Sequence, residues 1–238
     1  MAVPQTTQAI VLRSIRHGDS TVVLKAYTRR FGPRSYLVRT GKKGARMAML
    51  QPLNRLEVVV REDPDRDLTA LREIRVEKPF TRIHADPLRS ALALFIQEVL
   101  YKVLREGSCD EQLYRFLDEA LQGLDSFDDI RHFPSLFLIH MAAHLGFGME
   151  GPGEGEDRFD LLEGHFLRGD APHGHTVGPP LSLALARLLA CGDLRTQAPV
   201  LPLEQRRQLL DHLLLYFRLH VEGLGELRSP AMLQQVLS

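Results

Sequence analysis

The rhythm of apolar and polar positions changes near residue 79. Before it, short runs rich in β-branched and aliphatic residues occupy 9–15, 21–27, 35–39 and 56–60. Each is bounded by turn chemistry: His17-Gly18-Asp19, Phe31-Gly32-Pro33 and a polar stretch at 62–67. Residues 68–78 then alternate, with Leu71, Ile74 and Val76 set among polar neighbours, as in a half-exposed final strand. Five short strands in some 80 residues suit a small Greek-key barrel of the OB type, which manages its sheet edges by closing. An SH3-like barrel or an open sheet fits the same periodicity.

Beyond Pro79 and Pro87 the spacing becomes helical. Asp86-Pro87 reads as a helix start, and apolar residues recur at Leu88, Ala91, Leu92, Phe95, Val99 and Val103. Helices are predicted over 88–105, 111–124, 134–145, 182–190, 204–220 and 230–237, with Gly107 and Gly146 closing the first and third. The first is apolar on most sides, which marks a buried helix of a bundle. Residues 148–157 form an acidic, Gly-rich loop whose composition predicts mobility. A short hairpin follows at 159–168. The fold class is therefore α+β multi-domain. An OB-fold-like five-stranded barrel (1–80) precedes a mostly α-helical domain with a short β-hairpin (81–238).

Charge changes the picture more than composition does. The 238 residues are 44% hydrophobic and 25% charged, ordinary values for a globular protein, and the net charge is zero. Yet residues 1–80 hold 16 Lys and Arg against 8 Asp and Glu, while the remainder hold 14 against 22. A basic module joined to an acidic one points the first toward a polyanion. Its cations gather around Gly41-Lys42-Lys43-Gly44, where glycines let the backbone approach a partner closely. Arg29, Arg30, Arg34, Arg39, Lys42, Lys43 and Arg46 form the candidate phosphate-binding set, in a segment that also holds Tyr27, Phe31 and Tyr36. A positive groove with aromatic faces binds single-stranded nucleic acid by charge and stacking. Taken singly, each of those aromatics is better read as part of a barrel core.

Other chemistries find little purchase. No apolar run reaches the roughly 20 residues needed to span a bilayer. No basic n-region followed by an apolar h-region opens the chain, and cytoplasmic residence is the expectation. Cys109 and Cys191 form neither a disulfide framework nor a metal knuckle. His140 and His144 share a helical face, with His165, His173 and His175 further on, but Met141 after His140 breaks the HExxH pattern. There is no GxSxG elbow and no P-loop. Asp63, Asp65 and Asp67 alternate like calcium ligands, but Pro64 and Arg66 and the lack of a glutamate at the twelfth position make a turn of them. No enzyme, cofactor or small-molecule substrate is expected.

Several stretches nevertheless resemble one family. They are Ala9-Ile10-Val11-Leu12-Arg13, His17-Gly18-Asp19-Ser20, Tyr27-Thr28-Arg29-Arg30-Phe31-Gly32, Gly41-Lys42-Lys43-Gly44-Ala45-Arg46 and Leu50-Gln51-Pro52-Leu53. Asp67-Leu68, Phe95-Ile96-Gln97-Glu98-Val99-Leu100, Leu145-Gly146-Phe147 and the tail from Tyr216 to Ser229 continue the match. In order and spacing they are similar to the bacterial RecO family, in the form found in Bacteroidetes. The resemblance implies an OB-fold followed by a helical domain, and a non-catalytic recombination mediator at the nucleoid. Such a protein binds single- and double-stranded DNA and anneals strands. It engages the tail of single-stranded DNA-binding protein and acts with RecR to load RecA. Many family members carry a four-cysteine zinc module after the Leu-Gly-Phe stretch. Here 148–157 has no cysteine, so the resemblance brings no zinc site and the hairpin must be held by packing. An adaptor working through the helical domain, without DNA contact, is the alternative.

Overall fold

The structure is a computed structural model, and it describes residues 3–40, 46–61, 68–104, 109–169, 171–195 and 200–230. Lys42, Lys43, the turn at 62–67 and nearly all of the helix predicted at 230–237 lie outside the described residues. The chain packs as two compact units, Met1–Asp125 and Ser126–Ser238.

In the first unit, strands β1 (Gln5–Arg16), β2 (Thr21–Thr28), β3 (Gly32–Arg39), β4 (Arg55–Val60), β5 (Leu68–Ala70) and β6 (Glu73–Val76) form one sheet in the order β5-β3-β2-β1-β4-β6. The OB-type reading holds, but the strands form an open six-stranded sheet and not a closed five-stranded barrel, because the stretch expected as a single fifth strand is two. β5 pairs in parallel with β3, and β6 pairs antiparallel with β4. Only Leu71 and Arg72 separate them, and those two donate their backbone N–H groups to Leu37 of β3 and Val59 of β4. No ladder joins β5 to β6. The segment straddles the two edges instead, because its chain must bend to meet both. Inside lie Ala9, Val11, Val22, Leu24, Ala26, Tyr36, Val38, Leu50, Leu56, Val58 and Val60.

Helices cover part of the outer face. A short α1 (Arg82–Ala85) lies between Pro79 and Pro87, ahead of the first predicted helix, and α2 (Pro87–Val103) and α3 (Glu111–Ser126) follow. Asp86 caps α2 through Leu88 N (2.9 Å) and Arg89 N (3.4 Å), and Asp110 caps α3 through Gln112 N and Leu113 N. Asp125 accepts from the backbone N–H groups of Thr81, Arg82 and Ile83, tying the end of α3 to the start of α1. α3 is fastened to the sheet by Arg55 of β4, whose Nη1 lies 2.8 Å from Asp118 Oδ1. Tyr27 stacks on Tyr114 (centroids 6.2 Å apart) and donates its hydroxyl to Asp110 O. Burial pushes the Tyr27 phenol up to about 12.

The second unit contains α4 (Phe133–His144), β7 (Arg158–Asp160), β8 (Phe166–Leu167), β9 (Thr176–Val177), α5 (Leu181–Leu189) and α6 (Leu203–His220). The predicted hairpin is β7–β8, and β9 adds a third strand on the other edge of β7. The loop at 148–157, expected to be mobile, is laced to this sheet. Glu150 N donates to Gly164 O, Asp157 N to Leu167 O, and Arg168 Nε to Glu154 O (3.0 Å). Composition misleads here because the bonding partners lie in the hairpin. Beneath the sheet Phe147, Phe159, Phe166, Tyr216, Phe217 and His220 make an aromatic cluster. Tyr216 donates its hydroxyl to Phe147 O (2.8 Å).

Candidate nucleic-acid interface

Strand register decides which cations share a surface. β1 contains a bulge between Val11 and Arg13, so Arg13 lies opposite Lys25, and Lys25 lies opposite Ser35. Ile15–Val23–Leu37 is the next row, and Thr21–Arg39 the last. By the two-residue period of a strand, these positions share the outer face, while Ser14, Leu24 and Tyr36 point inward. Arg13 and Lys25 both meet the ring of Tyr101 on α2, at 5.0 and 5.8 Å from its centroid. Neither has an ion-pair partner among the described residues.

The predicted phosphate-binding set divides between two ends of the β2–β3 hairpin. Arg29, Arg30 and Arg34 sit at its turn. Arg29 bonds Gln8 Oε1 (3.0 Å) and pairs with Glu111, which holds the Glu111 carboxyl below its usual range. Arg30 lies 5.9 Å from the Phe31 ring centroid. Arg34 has the inward parity at the rim and donates to Pro33 O. Arg39 lies five residues further along β3, roughly 17 Å by strand rise, and Arg46 donates to its carbonyl at that far end. Lys42 and Lys43 are outside the described residues. Arg34 and Arg39, an odd number of positions apart, face opposite sides of the sheet.

The aromatics named from sequence are taken up by packing. Tyr36 is 0% and Tyr27 1% exposed, and Phe31 packs against the core of the sheet. Tyr101 was missed because it lies in a helical stretch, and only register brings Arg13 and Lys25 to it. The face formed by strands 2 and 3 is where OB-folds bind oligonucleotides. In this chain it carries Arg13, Lys25 and Arg39 with the half-exposed apolar row between them.

The histidines make no comparable site. His140 is largely buried in α4, which lowers its pKa. His173 Nε2 lies 3.2 Å from Asp160 Oδ2, while Asp160 Oδ1 accepts from Leu162 N and Glu163 N. Among the described residues no group of three or more His, Cys, Asp or Glu stands close enough to hold a metal ion. The donor set does not fit a four-thiolate zinc, and the backbone around the hairpin is already bonded to itself. Among them, too, no helix is long and apolar enough to cross a membrane.

Two family sequence models match the chain: "Recombination protein O N terminal" over residues 1–80 and "Recombination protein O C terminal" over 84–230. The chain is 32% identical to the DNA repair protein RecO of Porphyromonas gingivalis, covering 95% of this chain and 96% of that one. It is 29% identical to the protein of the same name from Christiangramia forsetii, covering 97% and 98%. Bacteroides fragilis has a further relative at 27% identity.

Proposed function

Because the chain belongs to the RecO family of DNA repair and recombination proteins, we propose that it is a non-catalytic recombination mediator. It binds single- and double-stranded DNA in the cytoplasm, at the nucleoid, and anneals complementary strands. With RecR it helps load RecA on DNA coated by single-stranded DNA-binding protein, whose tail it engages. The observation that carries this reading is the outer face of β1–β3. There Arg13, Lys25 and Arg39 lie on one side of an OB-type sheet, without carboxylate partners among the described residues. Unpaired cations on such a face neutralise phosphates, and counterion release then drives association. Arg46, bonded to the Arg39 carbonyl, adds a cation at the end of β3, and Lys42 and Lys43, outside the described residues, belong to the same proposed phosphate-binding set by their sequence. Arg29, Arg30 and Arg34 form a second contact at the far turn, Arg29 once it leaves Glu111.

Fluorescence anisotropy of a labelled single-stranded oligonucleotide across several salt concentrations tests it. Affinity should fall steeply with salt. The log–log slope should flatten by about 0.7 for each phosphate that a substitution leaves without its cation. Arg13→Ala with Lys25→Ala, and separately the Lys42/Lys43/Arg46 triple alanine variant, should each show that flattening. No binding at low salt would end the mediator reading.

A second reading, an adaptor without DNA contact, draws on a cationic cluster in the second unit. Arg206 lies among Arg131, Arg207 and His132, with Asp129 already paired to Arg131; burial first, and then Arg131 and Arg207, hold the Arg206 pKa below the usual range against the opposing pull of Asp129. An acidic partner would relieve that crowding. Under the adaptor reading the protein binds a partner peptide and ignores DNA at every salt concentration.

A further inference from the structure

We propose that the ring of Tyr101, contributed by α2 and not by the OB strands, is the stacking platform for one unpaired base of single-stranded DNA. The inference rests on the DNA-binding reading above and deepens it. Three observations converge on the ring. The bulge in β1 is what turns Arg13 outward. In unbroken alternation from Val11, which faces the core, Arg13 would face inward as well. Gln97 of α2 donates its side-chain amide to Leu12 O, at the bulged residue, over 2.7 Å. Gln97 and Tyr101 are four residues apart and so share one helical face. A single face of α2 thus pins the bulge and receives the cation that the bulge redirects.

The second observation is the juxtaposition of like charges. Arg13 and Lys25 are register partners, and two cations directly opposite each other on a sheet destabilise it. The electron-rich face of Tyr101 offsets part of that repulsion. A phosphate beside the two cations would offset more. The third observation is the surroundings. The ring is half-buried, and the next outward row begins with Ile15, 40% exposed, so the platform continues into an apolar strip. A base laid there finds a π-face and an apolar neighbour, with its phosphate against Arg13 and Lys25. A duplex keeps its bases stacked on one another and has none to offer. The platform therefore discriminates single strands from duplex.

Full-length protein is titrated with a labelled oligonucleotide of about 16 nucleotides, single-stranded and as a duplex. Tyr101→Leu should weaken single-strand binding at least about fivefold, the lower bound for removal of one base stack. Its duplex affinity and salt slope should stay at the wild-type values. Tyr101→Phe keeps the ring and should bind as wild type. A 2-aminopurine scanned along the strand should be quenched at one position by wild type and Tyr101→Phe, and not by Tyr101→Leu. That readout would not move if the ring merely anchored α2 to the sheet. Equal losses on single strand and duplex would overturn the proposal, as would undiminished single-strand affinity in Tyr101→Leu. If Tyr101→Leu fails to fold, the absence of any quenched position in wild type overturns it by itself. Salt-dependent binding without Tyr101 dependence leaves the mediator reading standing. A wild type that binds neither strand form takes both readings down.

Discussion

The two small sheets of this protein treat charge in opposite ways. The six-stranded sheet of the first unit leaves Arg13, Lys25 and Arg39 on an open face with no carboxylate among the described residues to answer them. In the three-stranded sheet of the second unit, charged groups are spent internally. Arg168 donates to the backbone carbonyl of Glu154, Glu156 accepts from the backbone N–H of Gly153, and Asp160 takes two backbone N–H groups and the ring of His173. Charged residues along a small sheet can thus mean an outward-looking surface or a self-sufficient one. What separates them is whether the charges have partners within the fold.

Substitution can probe that contrast, and the largest effects belong to the self-sufficient side. Gly164 has φ +74°, and a Cβ added there would stand 2.6 Å from Tyr216 Oη, a group already bonded to Phe147 O. Gly164→Ala should lower stability by about 2–4 kcal/mol, combining left-handed strain with displacement of a buried ring. Gly169 has φ +76° but nothing near its Cβ position, so Gly169→Ala should cost only the strain, about 1 kcal/mol. Equal midpoints in urea for the two variants would refute the close packing at Gly164. Tyr216→Phe should follow at about 1–2 kcal/mol, because the Phe147 carbonyl loses its donor. Its DNA affinity should be unaltered, as measured by anisotropy.

Asp125 belongs to the first unit, yet its charge is spent internally too. Burial is the largest single influence on its carboxyl and acts upward, but the bonds from Ile83, Thr81 and Arg82 together outweigh it and lower the pKa. A lowered folded value means the stabilisation is present above the unfolded pKa of about 3.9 and is lost as pH falls through the folded one. The difference between wild type and Asp125→Asn should therefore be level from about pH 5 to 8, at about 0.5–1 kcal/mol by analogy with a cap, and shrink below pH 4. A difference that grows on acidification would refute the clamp. The smallest effect belongs to Glu111→Gln, which frees Arg29 for phosphate. It should steepen the salt slope by no more than about 0.7 and leave the melting temperature nearly unchanged.

The first-unit strands were legible because β-branched runs and turn residues alternate clearly, and Asp86-Pro87 announced α2 through its own local chemistry. Faces were not legible. The bulge at Leu12 depends on Gln97, 85 positions away along the chain, and it alone decides whether Arg13 looks inward or outward. Arg29 reads as available from sequence because nothing near it in the chain foretells Glu111, and nothing near Tyr27 foretells that its burial comes from Tyr114. The split of the last strand escaped periodicity for a similar reason. Leu71 and Arg72 bond to two different strands, Leu37 of β3 and Val59 of β4, a fact of topology and not of pattern. The 148–157 loop failed in the other direction, since its composition matches mobile segments while its partners sit in the hairpin.

The way α2 and α3 lie on the sheet bears on where the chain can be cut. Ile10, Leu12 and Tyr27 are buried although they stand outside the sheet's inner cluster, and elements beyond residue 80 meet two of them: Tyr114 stacks on Tyr27 and Gln97 bonds Leu12 O. A fragment stopped at residue 80 would uncover them and would leave Arg55 without Asp118. That fragment should self-associate, whereas one carried through Asp125 should remain monodisperse. That outcome would make the smallest autonomous piece of this protein longer than its sequence-defined first domain.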